Sequence, residues 1–155
     1  MQPNSSTSDR ALLEKLRRHR AELRESIGAL EAALEAPASA DQARWAERVH
    51  AALVELAGDL RAHIDITEGP DGLYRDLLET SPRLSDAVAT LTHEHVRICR
   101  VLDDLLVRMT APDATGTVDD IRDRSTTLLG VLIRHRQRGS DLVFDAYSVD
   151  IGGET

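Results

Sequence analysis

The chain has 155 residues, 41% hydrophobic and 30% charged, a size and composition suited to one domain with a buried core. Its formal charge of −8, from 19 basic and 27 acidic residues, weighs against a phosphate-backbone binder, and 3% aromatic content leaves little from which to build a base-stacking platform. Cys99, the one cysteine, has no partner for an intramolecular disulfide, no apolar run approaches the roughly 18 residues of a membrane span, and the polar first residues lack the basic and apolar parts of a signal peptide, so a cytoplasmic protein that binds neither membrane nor nucleic acid is expected.

Apolar residues recur at helical spacing throughout, and no sustained alternation suggests a half-buried strand. A first helix is expected to start near Ser8 or Asp9, carry Leu12, Leu16, Leu23, Ile27, Leu30 and Leu34 on one face, and stop before Pro37. Ser39 and Gln42 form a capping-box pattern for a second helix, whose face runs Trp45, Val49, Leu53, Leu56 and Leu60 toward the break at Gly69-Pro70-Asp71-Gly72. A short helical piece, Leu73 to Glu79, follows. Ser81-Pro82 opens a third long helix bearing Leu84, Val88, Leu91, Ile98, Leu102 and Leu105, which frays near Thr110-Ala111-Pro112. Thr117, with Asp119 and Asp120 in the first turn, starts a fourth, with Ile121, Leu128, Leu132, Leu142 and Ala146 inward. The expected fold is all-α, an antiparallel up-down-up-down four-helix bundle over residues 9–147, with a disordered tail at 1–8 and a C-terminal tail at 148–155.

The histidines fall on these stripes. His95 continues the alternating steps of four and three along the third long helix, and His135 does so on the fourth, after Ser125, Leu128 and Leu132 and before Gly139. On the second helix Leu56 and Leu60 lead to His63 and Thr67, and on the first His19 lies between Leu16 and Leu23. His50 and His93 lie off the stripes and read as solvated. At about 1.5 Å per residue, the four inward histidines fall at similar depth from one end of such a bundle. Four imidazoles in one dry layer present many ring nitrogens to satisfy, and a metal takes up one acceptor from each while the other nitrogen donates outward.

These residues resemble the hemerythrin-like (HHE) family of four-helix bundles, over essentially the whole chain from about Leu12 to Tyr147. The resemblance implies a non-haem di-iron centre held by a first-helix His, matched by His19; an HxxxE on the second helix, matched at its His by His63; a third-helix His, matched by His95 in Glu94-His95; and a fourth-helix His with a following carboxylate, matched at its His by His135. Four residues after His63, where the family has a bridging Glu, stands Thr67, with Glu68 one further on. Cys99 occupies the place of a second third-helix His and is a candidate thiolate ligand or redox-sensitive thiol. Gly139 stands four after His135 instead of an acid, and Asp141 points away from the histidine face.

The candidate metal ligands are therefore His19, His63, Glu68, His95, Cys99 and His135, for non-haem iron, mononuclear or dinuclear, with zinc or a bis-histidine haem as alternatives. The function expected is sensing or handling of O2, NO or peroxide. The alternative is a bundle that has lost its cofactor and serves as an interaction or regulatory module with a protein partner. Redox catalysis requires an open coordination position, which sequence leaves undecided. No phosphate loop, nucleophile elbow or CxxC pair is present.

Overall fold

The computed structural model describes residues 4–110 and 118–152, with side chains over 7–110 and 118–147. All of its regular structure among the described residues is helical: α1 (Asn4–Glu35), α2 (Gln42–Glu68), α3 (Leu73–Thr80), a 3-10 turn (Pro82–Leu84), α4 (Ser85–Thr110) and α5 (Val118–Gly152). The chain divides into two compact units, Met1–Leu73 and Tyr74–Thr155.

In the first unit α1 and α2 pack along one another. Leu16, Leu23, Ile27, Leu30 and Leu34 of α1 are buried, as are Trp45, Val49, Leu53, Leu56 and Leu60 of α2, which are the stripes the periodicity defines. One polar tie joins the two helices inside this packing: the buried Ser26 hydroxyl donates to the Asp59 carboxylate. α1 begins at Asn4, ahead of the cap expected at Ser8 or Asp9, because no proline or glycine between Asn4 and Asp9 interrupts the helix. At α2 the cap is Asp41, whose side chain accepts from the Arg44 backbone N–H at 3.0 Å, instead of the Ser39 box. A carboxylate two residues nearer the helix meets the same orphan donors more directly.

α2 ends where the Gly-Pro-Asp-Gly break was expected. The Gly69 N–H bonds back to the Asp65 carbonyl at 2.9 Å, and the Gly72 N–H to the Gly69 carbonyl at 2.8 Å. A Cβ on Gly72 would sit 2.7 Å from both the Ile66 and Thr67 carbonyl oxygens, so close backbone approach requires glycine there.

In the second unit Ser81-Pro82 starts the 3-10 turn before α4, so the proline sits at the front of the helical segment as expected. α4 and α5 pack together, burying Leu84, Val88, Leu91, Ile98, Leu102 and Leu105 from one side and Ile121, Leu128, Leu132, Leu142 and Ala146 from the other. Exposed ion pairs decorate the seam, Arg83 with Asp145 at 3.7 Å and Arg124 with Asp104 at 3.6 Å, and contribute little each. The expected fray at Ala111-Pro112 and the cap at Thr117 lie outside the described residues, as do residues 1–3 and 153–155 of the expected tails; the backbone of α5 continues to Gly152.

Candidate metal centre

The second unit brings two histidines together. His95 of α4 and His135 of α5 are 1% and 2% exposed, and each offers a ring nitrogen within 4.8 Å of the other's. Their ring centroids are 4.6 Å apart with planes tilted by 60°. Both rings arrive there because the four-and-three stepping that buries Leu91 and Ile98 also turns His95 inward, while Leu132 and Leu142 do the same around His135. Tyr74, buried at the start of α3, stacks on the other side of His95, with centroids 5.9 Å apart and planes within 13°.

The electrostatics keep both rings neutral. Burial pushes His95 down to about 3, with the neighbouring His135 adding to the effect and Glu94 opposing it. Burial also lowers His135, against the opposing hydrogen bond and charge of Glu94, with Arg138 lowering it further. A neutral imidazole keeps one lone pair in the ring plane, the form in which histidine ligates metals.

Glu94 lies against this pair from outside. Its Oε1 is 3.1 Å from His135 Nδ1, and its Oε2 takes a charge-assisted hydrogen bond from the Arg138 guanidinium. Glu94 and Arg138 lie outside the ligand set expected from sequence, although Arg134, Arg136 and Arg138 flank His135 as a basic cluster suited to pairing with acids on neighbouring helices, as Arg138 does with Glu94. The available signal was positional: Glu94 immediately precedes an inward histidine, and Arg138 follows the facing one by three residues, so each flanks its stripe.

In the first unit His63 is buried on α2. The Thr67 hydroxyl, four residues after His63 where the resemblance implies an acid, donates back to the His63 carbonyl at 2.9 Å and the Ile64 carbonyl at 3.2 Å, so it is spent on its own helix and supplies no anion. Glu68 is an exposed residue whose carboxyl is nonetheless raised by partial desolvation. His19 is half-buried, with Nδ1 3.3 Å from Glu22 Oε2 on its own helix at a geometry short of a hydrogen bond. In the second unit Cys99 is half-buried, and Gly139 has open space where a side chain would begin. His93 is exposed, whereas His50, expected in solvent, is half-buried.

The donor set fits a cation bound by imidazoles. Neutral, buried histidine rings suit borderline ions such as Fe(II) and Zn(II), while the positions four residues after His63 and His135 hold Thr67 and Gly139 instead of acids.

No curated protein and no solved structure matches the chain. The family described as Hemerythrin HHE cation binding domain matches residues 11–147, nearly the whole chain. The all-α content and the four long helices α1, α2, α4 and α5 are consistent with its four-helix bundle. With that match over nearly its whole length and His63, His95 and His135 buried, this chain belongs to the hemerythrin HHE cation-binding family.

Proposed function

We propose that this protein binds iron through His63, His95 and His135 and uses it to sense or handle a small ligand, O2, NO or peroxide. The observation that carries this reading is the His95 and His135 pair, two buried neutral rings with ring nitrogens within 4.8 Å in a chain of a cation-binding family. Neutral imidazoles at this separation can each give one ring nitrogen to the same cation. His63, the buried α2 histidine, is included because the resemblance implies a ligand on that helix. His19, Glu68 and Cys99 complete the proposed ligand set, with Cys99 as a soft donor or redox thiol.

Bound iron supplies redox chemistry and a coordination position for the small ligand. The chain's own residues hold the ion, and the apolar stripes around His95 and His135 keep bulk water from it. With Thr67 and Gly139 in place of acids, the proposed centre is mononuclear. The same two positions favour, as a second reading, a bundle that works without metal as an interaction module.

The test is metal and haem content per chain of untagged protein, by elemental analysis, with absorption spectra recorded anaerobically and in air. About one iron per chain and a charge-transfer band that shifts on exposure to O2 or NO support the proposal. A Soret band moves the cofactor to haem, and absence of metal after anaerobic reconstitution with ferrous iron leaves the interaction module.

A further inference from the structure

We propose that Glu94 is a positioning residue for the metal centre: its carboxylate fixes His135 as the Nδ1–H tautomer, which presents the Nε2 lone pair to the cation. The inference rests on the metal-binding reading above, and the argument for it is geometric. A carboxylate whose Oε2 already accepts from Arg138 acts as an acceptor at Oε1 also, so the His135 Nδ1 at 3.1 Å is the donor and carries the ring proton. In a neutral imidazole that leaves Nε2 deprotonated.

The contact is built to hold this arrangement. Glu94 is 14% exposed at the side chain and His135 2%, so the bond is shielded from competing water. Arg138, one turn beyond His135 on α5, holds the carboxylate from its outer side. Three residues from two helices thus form a relay, guanidinium to carboxylate to imidazole, ending on a ring that faces His95. Partners of this kind set ring orientation and tautomer and raise ligand basicity in histidine metal sites, and their loss typically costs about 10- to 100-fold in metal affinity. The acid missing at Gly139 is therefore offset in part by an acid on the neighbouring helix, acting through histidine instead of on the metal.

The alternative is a purely structural bridge pinning α4 to α5. Metal affinity separates the two, because a structural bridge to the carboxylate also holds the proton on Nδ1, but its loss from a variant that stays folded leaves zinc affinity unchanged. The experiment uses the full chain, metal-free, with 15N-labelled histidine. Two-bond proton–nitrogen correlations report the His135 tautomer in wild type, Glu94→Gln and Glu94→Ala, with circular dichroism on each. Zinc is then titrated into all three. The expected result is an Nδ1–H tautomer in wild type, kept in Glu94→Gln through the amide oxygen, and mixed in Glu94→Ala, with zinc affinity about 10- to 100-fold lower in Glu94→Ala. An Nε2–H tautomer in wild type, an unchanged tautomer in a folded Glu94→Ala, or zinc affinity unchanged in that folded variant overturns the proposal. If wild type takes up neither zinc nor iron, metal binding fails, and the tautomer of the metal-free protein still decides whether Glu94 orients His135.

Discussion

The imidazoles of His95 and His135 face one another across the α4 and α5 seam, centroids 4.6 Å apart and planes tilted 60°, with Tyr74 stacked behind His95 and Glu94 bonded behind His135. Each ring thus has a second partner of its own.

His95→Ala and His135→Ala are each expected to reduce bound metal below one tenth of the wild-type occupancy under limiting metal, since each removes a ligand from a site that has few. Elemental analysis of protein dialysed against micromolar free iron checks this. Full occupancy in both variants would show that the metal sits elsewhere.

The metal-free protein is expected to lose stability with acid. Burial holds His95 at about 3, far below its ordinary 6.5, and lowers His135 in the same direction. Between about pH 6.5 and 3 the unfolded chain therefore binds protons that the folded chain refuses, so this stability is complete above 6.5 and lost as pH falls through that window. Each histidine held fully neutral contributes a slope of about 1.4 kcal/mol per pH unit. Urea denaturation at pH 7.5 and 5.5 measures it, and His95→Leu should flatten the dependence. Equal midpoints at both values would contradict the neutral, buried assignment.

Gly72→Ala is expected to destabilise the first unit by about 1–3 kcal/mol, because the added Cβ meets two carbonyl oxygens at 2.7 Å and backbone must move. Thermal melting checks this, with Gly28→Ala on α1 as the control, where no heavy atom lies within 4 Å of the new methyl. Comparable midpoints for the two variants would remove the steric account of the break after α2.

Two buried α5 positions should respond with opposite sign. Leu128 is fully buried, and Leu128→Ala should cost about 2–5 kcal/mol. The Ser125 hydroxyl is equally buried but makes no hydrogen bond, so Ser125→Ala should be neutral or stabilising by about 1 kcal/mol. Denaturant midpoints decide both, and a strongly destabilised Ser125→Ala would mean that its hydroxyl has a partner in solution.

The apolar periodicity carried most of the fold. The stripes of α2 and α4 are buried at each position assigned to them, His63 and His95 included, because a helix that hides leucines at steps of three and four must hide whatever else shares that face. Leu12, His19 and Gly139 are only half-buried, His19 between the buried Leu16 and Leu23 of its own stripe. Helix starts were harder to read: Ser39 and Asp41 both qualify as caps, and only backbone geometry chooses Asp41. The support for the histidine pair was not legible, since Tyr74 and Glu94 meet their partners through pairings between helices that no spacing within one helix encodes.

The central claim, that buried histidines of this chain hold a cation, is tested most directly by anaerobic titration of ferrous iron into metal-free protein, comparing wild type with His95→Ala/His135→Ala. The account predicts saturation near one iron per wild-type chain and weak, non-saturating uptake by the double variant. No saturable uptake by wild type, or equal uptake by both proteins, would contradict it.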